Sequence, residues 1–221
     1  MSIAVKICGI TSAGAADAAV SAGAAYGGLV FHPGSPRFVT AQAARALTGR
    51  MRGRLRIVAL VADMDDAGIA HVLEAAEPDF LQLHGAESVA RTAEIRARFG
   101  RPVIKALPVA EASDLNAVPG YEEAADMLLF DARPPQGADR AGGHGAAFDW
   151  KLLAGRTFAR PWFLAGGLSP ENVARAIAAS GATHVDVSSG VESAPGVKDA
   201  TRIAAFAAAA RGPASLDQKI A

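Results

Sequence analysis

The stretch VKICGITSAG, residues 5–14, decides between two α/β architectures. It opens as a short apolar run and breaks at Gly9, as a strand does on entering its first loop. In an open, doubly wound sheet that first turn carries the phosphate-binding pattern G-x-G-x-x-G. Here the turn reads CGITSAG (8–14), which lacks that spacing. Beyond it the same alternation repeats to the end of the chain. Short apolar runs lie at 4–8, 26–31, 56–61, 80–83, 103–106, 127–130, 162–165 and 184–187. Segments of helical periodicity occupy 13–22, 41–48, 66–75, 88–98, 112–117, 170–179 and 199–210, with Ile69, Val72, Leu73 and Ala76 showing the three- and four-residue spacing. After the sixth apolar run, the helix is replaced by a glycine-rich loop and the short segment FDWKLL (148–153).

Strands that are apolar along their whole length are buried on both faces, as a parallel sheet requires. Eight such units in 221 residues predict a single compact (β/α)8 TIM barrel over residues 1–211, followed by a polar tail at 212–221. Local signals agree. Ser169-Pro170-Glu171 reads as a helix N-cap, a first-turn proline and an acidic first turn. Gly23, Gly100 and Gly181 each follow a helical segment and suit a left-handed terminal residue.

Composition narrows the function. With 51% hydrophobic residues the chain buries a large core, and 22 basic residues balance 22 acidic ones, which argues against an extended nucleic-acid footprint. The single cysteine, Cys8, forms no disulfide within the chain and fits a reducing cytoplasm. The start, MSIAVKICGITSAG, lacks the apolar core of a signal peptide, and no apolar stretch is long enough to span a bilayer. A small-molecule partner in the cytoplasm, with neither membrane nor nucleic acid, is the expectation; the oligomeric state stays open.

In a barrel of this kind chemistry gathers at the C-terminal ends of the strands. Those positions hold Lys6 and Cys8, His32 and Arg37, Asp63, Gln82 and His84, Lys105, Asp131, Gly166 and Gly167, and Asp186 with Ser188, Ser189 and Gly190. Polar groups at the ends of buried strands are costly unless they serve a common purpose, so one shared pocket is expected. LAGGLSPEN (164–172) and DVSSGV (186–191) follow the seventh and eighth apolar runs, where barrels frequently bind phosphate. Gly166, Gly167, Ser188, Ser189 and Gly190 are therefore candidate phosphate-binding residues. Lys6, two residues before Cys8 on the same side of the strand, is placed to favour a thiolate. Asp131, buried after MLLF (127–130), is expected to hold a proton above the usual carboxylate range. Gln82, His84 and Asp186 are expected to line the pocket. The five histidines show no metal-ligand spacing, so no metal site is expected.

The motifs KICGIT (6–11), GLVFHPGSPRFV (28–39), LQLHG (81–85), LFDA (129–132), GGHGAAFDW (142–150), LAGGLSPENV (164–173) and VDVSSGVESAPGVKD (185–199), in this order, resemble the phosphoribosylanthranilate isomerases of tryptophan biosynthesis. The resemblance implies a cofactor-free Amadori rearrangement of an aminoaldose to an aminoketose. It implies Cys8 as general base, Asp131 as general acid and Arg37 as the partner of the anthranilate carboxylate, and with a phosphoribosyl substrate Asp186 is expected to meet a ribose hydroxyl. It also brings Gly143 and Gly145 to the phosphate, in a loop where His144 stands in place of the usual hydroxyl residue. Other readings make different demands. A Schiff-base aldolase would use Lys105 as an interior lysine. An isomerase of an imidazole-carboxamide ribotide would have aspartate where Cys8 stands, and a barrel that only binds would show affinity without turnover.

Overall fold

A computed structural model describes residues 3–133 and 148–212. Eight parallel strands close into a barrel in sequential order. They are β1 (Ala4–Cys8), β2 (Tyr26–Val30), β3 (Arg56–Val61), β4 (Phe80–Leu83), β5 (Val103–Val109), β6 (Met127–Ala132), β7 (Trp162–Leu164) and β8 (His184–Val187). The ring closes where β1 pairs with β8, Lys6 lying opposite Asp186. The strands β5 and β6 run further than their apolar cores predict, because they stay paired out to Pro108 opposite Asp131 and Val109 opposite Ala132.

Helices α1 (Ala13–Ser21), α2 (Ala41–Met51), α3 (Asp66–Ala76), α4 (Val89–Phe99), α5 (Val118–Ala124), α6 (Val173–Ser180) and α7 (Ala200–Arg211) pack outside the ring. Side-chain caps launch several of them: Ser12, Thr40, Asp65, Ser88 and Asp199 each accept a backbone N–H from the first turn. Gly23, Gly100 and Gly181 are left-handed as expected. Two local expectations fail. The segment 112–117 is a 3₁₀ turn, and the helix proper is α5, since a proline in the first turn is compatible with a helix. The regular part of α6 begins only at Val173, because Ser169 organises the preceding turn, its Oγ accepting from Glu171 N at 3.3 Å and its carbonyl from Val173 N at 3.0 Å. The expected tail at 212–221 falls beyond the described residues after Gly212.

Alternation along each strand separates two packed regions. Outward residues such as Ile7, Leu29, Leu81, Val103 and Leu128 join the helices in a large apolar shell. Inward residues Tyr26, Val58, Phe80, Ile104, Met127, Leu129 and Phe163 fill the barrel's lower interior. Tyr26 packs edge-on against Phe80 at 5.8 Å and Phe163 at 5.1 Å, and His184 closes this floor 5.2 Å from Phe163. Lys105 shares the outward side of β5 with Val103 and Leu107, so it is not the interior lysine that a Schiff-base site would need.

Candidate active site

Above the aromatic floor the inward positions turn polar and open into a cavity of about 310 Å³. Its walls include Cys8, His32, Arg37, Asp63, His84, Asp131, Asp186 and Ser188, so residues from strands across the ring converge as expected. Cys8 ends β1 opposite Gly28 of β2. A Cβ at Gly28 would lie 3.1 Å from Cys8 Sγ and 3.2 Å from Lys6 Nζ, so glycine makes the room that lets both side chains face inward. Lys6 is fully buried and donates to Asp186 Oδ1 at 2.9 Å. Burial pulls the Lys6 ammonium down, but Asp186 and Cys8 outweigh it and hold its pKa above the ordinary lysine value. Burial pushes the Cys8 thiol up; Lys6 and Lys198 oppose that shift without cancelling it. The expected help from Lys6 is present, but Asp186 shares the cation. That pairing also commits one oxygen of the carboxylate expected to meet a ribose hydroxyl.

Across the ring, Asp131 ends β6 at the rim, its side chain 17% exposed. The expected burial after MLLF is partial, because Phe130 points outward into the apolar shell and leaves the carboxyl at the mouth. Asp131 Oδ1 accepts the Ala132 N–H at 2.9 Å and Oδ2 lies 3.3 Å from His84 Nε2. Behind it, Gln82 Nε2 is 2.9 Å from His84 Nδ1. With the amide donating to Nδ1, the neutral ring carries its proton on Nε2 and presents it to Asp131. Gln82 is thus fully buried as a support for His84 rather than a wall of the cavity.

Arg37 departs most from expectation. It borders the cavity, yet its Nε and Nη2 grip both oxygens of Glu192, at 2.7 and 2.8 Å. A guanidinium this buried requires a counter-charge from the protein itself, and the pairing uses Nε and Nη2 but not Nη1. Glu192 and Lys198 belong to a hairpin after β8, formed by β9 (Glu192–Ala194) and β10 (Val197–Lys198). Lys198 Nζ donates to Glu192 Oε1 at 2.7 Å and to Ser188 O at 3.0 Å. Neither residue stood out in the sequence, although both lie in the motif at 185–199; the Pro195-Gly196 turn between them was the available signal.

The loops after β7 and β8 pack on each other. Gly166 and Gly167 take positive φ, and a Cβ on Gly190 would run into the Leu168 carbonyl. Ser188 reaches the cavity, but its Oγ donates to Cys8 O at 3.1 Å, tying β8 to β1. Gly166, Gly167, Ser189 and Gly190 are not among the cavity's walls. Gly143, His144 and Gly145 lie outside the described residues. Lys105 is held at 2.6 Å by Glu87 and at 2.8 Å by the Gly85 carbonyl. Among the described residues no group of three or more His, Cys, Asp or Glu is placed to hold a metal ion.

A family profile described as N-(5'phosphoribosyl)anthranilate (PRA) isomerase matches residues 5–209. The chain belongs to this family. N-(5'-phosphoribosyl)anthranilate isomerase of Paracoccus denitrificans is 54% identical over 96% of this chain and 99% of its own length. The enzyme of the same name from Paramagnetospirillum magneticum is 52% identical with the same coverage. Among solved structures, phosphoribosyl anthranilate isomerase from Thermotoga maritima superposes with a TM-score of 0.85 at 34% identity, covering 96% of this chain and all of that one. A phosphoribosyl anthranilate isomerase in complex with reduced 1-(o-carboxyphenylamino)-1-deoxyribulose 5-phosphate superposes with a TM-score of 0.81 at 33% identity, with the same coverage. Membership of the phosphoribosylanthranilate isomerase family rules out the aldolase reading and makes the eight-unit barrel the family fold.

Proposed function

We propose that Cys8 and Asp131 are the base and acid of the isomerisation, working from opposite sides of one cavity. The reaction itself follows from the family: N-(5′-phosphoribosyl)anthranilate is converted to 1-(2-carboxyphenylamino)-1-deoxyribulose 5-phosphate, a step of tryptophan biosynthesis. Asp131 protonates the furanose ring oxygen, and the ring opens to a Schiff base. Cys8 then removes the proton from C2′, and the resulting enolamine tautomerises to the ketone. The Nε2–H of His84 holds the Asp131 carboxylate in place, and the proton that Cys8 took is exchanged through solvent to restore the acid between turnovers. The Nη1 edge of Arg37 meets the anthranilate carboxylate. Gly166, Gly167, Ser188, Ser189 and Gly190, with Gly143 and Gly145, receive the phosphate. Ser188 contributes through its main chain, since its hydroxyl is engaged. No organic cofactor or metal enters this scheme.

The observation that carries the assignment is the shared cavity: a half-buried carboxyl and a buried thiol border the same 310 Å³ space from β6 and β1. General acid and base groups each contribute about 10²–10⁴ in rate when so placed. No helix among the described residues is long and apolar enough to cross a membrane, and with the lone thiol this supports a cytoplasmic enzyme. The test follows the fluorescence of freshly made phosphoribosylanthranilate mixed with the metal-free protein and with its Cys8→Ala variant. Rapid decay with the first and background decay with the second is expected. Equal decay with both removes Cys8 from the chemistry.

A further inference from the structure

Three buried cations and two buried carboxylates surround the Cys8 thiol: Lys6, Arg37 and Lys198 against Asp186 and Glu192. Lys6 and Asp186 pair with each other. Arg37, Glu192 and Lys198 form a triad with Glu192 in the middle, whose Oε1 accepts from both cations at 2.7 Å. The triad therefore carries one net positive charge on side chains no more than 7% exposed, where solvent screens it weakly. Lys198 Nζ has three acceptors within reach, Glu192 Oε1 at 2.7 Å, Ser188 O at 3.0 Å and Ser188 Oγ at 3.3 Å, the complement of a fully protonated ammonium. Ser188 in turn hydrogen-bonds the Cys8 carbonyl, so one hydroxyl separates the ammonium from the Cys8 backbone.

We propose that Lys198, balanced by Glu192, is a positioning residue that sets the acidity of the Cys8 thiol, supplying the positive charge of the buried network that a Cys8 thiolate neutralises. The inference rests on Cys8 being the general base and adds what makes a buried thiol basic at neutral pH. Charges face Cys8 from every side: Lys6 on β1, Asp186 on β8, Arg37 after β2 and the hairpin pair. His32, Asp63, His84 and Asp131 border the same cavity further out. Burial, and after it the Asp186 charge, raises the thiol, and Lys198 is one of the two cations that pull it back. Burial, with Arg37 adding to it, holds the Lys198 ammonium below the ordinary lysine value, and Glu192 and Cys8 offset that only in part.

Cys8 is the only cysteine in the chain, so alkylation by iodoacetamide reads this one thiol through the open cavity. Alkylation rate is measured against pH in phosphate-free buffer, beside the pH dependence of kcat/KM. Lys198→Met is expected to move both midpoints upward by about one pH unit, with about tenfold less alkylation at any pH below them. Lys198→Arg restores the wild-type midpoint. Glu192→Gln leaves the cations in excess and is expected to move the midpoint downward, an opposite shift that general loosening of the hairpin does not produce. A wild-type midpoint in Lys198→Met overturns the proposal. Should that variant not fold, an unmoved or raised midpoint in Glu192→Gln overturns it equally. Failure of the base assignment shows separately, as turnover by Cys8→Ala, because alkylation reports thiol acidity whether or not Cys8 does chemistry.

Discussion

Along β4 the inward side chains run Phe80, Gln82 and then His84 just past the strand; along β2 they run Tyr26, Gly28 and Val30. One step up the barrel exchanges an aromatic plug for a polar support or for empty space. The floor is dry, made of Tyr26, Phe80, Ile104, Met127 and Phe163 in van der Waals contact. His184, which closes it, is held below the ordinary histidine value by burial and by Arg56, so it packs as a neutral ring. The mouth, built on the same strands and the hairpin after β8, holds eight ionisable groups around Cys8 and Asp131 and leaves a cavity among them. Buried charges in such numbers do not stabilise a fold by themselves. The floor and the outer shell supply the rigidity that lets the mouth keep an arrangement useful only to a substrate.

That division can be broken from either end. Cys8→Ala and Asp131→Asn are each expected to lower kcat by about 10²–10⁴ while the melting temperature barely moves; parallel kinetics and thermal melts decide, and a large loss of Tm in either variant would erase the distinction. Phe163→Ala, fully buried at the floor, is expected to cost about 3–5 kcal/mol, roughly 10 °C or more in Tm, with kcat per folded molecule unchanged. Gly28→Ala sharpens the boundary: its methyl would press on Cys8 Sγ at 3.1 Å, so about a tenfold fall in kcat with little loss of stability is expected. Glu77 ends α3 with φ at 41°, a left-handed backbone unfavourable to a side chain, and lies far from the mouth. Glu77→Gly is expected to raise Tm by about 2–4 °C, relieving roughly 1 kcal/mol, and to leave turnover untouched.

Much of this division was legible beforehand. Each strand is an apolar run bounded by a breaker, and a strand buried on both faces needs nothing else to declare itself. Cys8, Asp131, Arg37 and Ser188 stood out because a polar residue at the end of such a run is anomalous. The helical periodicity at 112–117 stops short of α5, which opens on Val118 and Pro119, because a first turn tolerates a proline that a helix interior does not. The face taken by Lys105 was not legible, because a run apolar on both sides does not say which side looks inward; register with β4 and β6 settles that.

The roles of Glu192 and Lys198 belong to another class. Their local pattern, a short hairpin around Pro195-Gly196, predicts a turn and nothing about a thiol 180-odd positions away. The sequence by itself determined the eight-unit barrel and its polar mouth, because burial and alternation are local signals repeated in every unit. Only the tertiary structure decided how the charges at that mouth are shared: Arg37 turned to Glu192, Lys6 to Asp186, and Lys198 brought in over Ser188. Electrostatic interactions follow distance through space, and closing the barrel brings the two ends of the chain together where β1 meets β8.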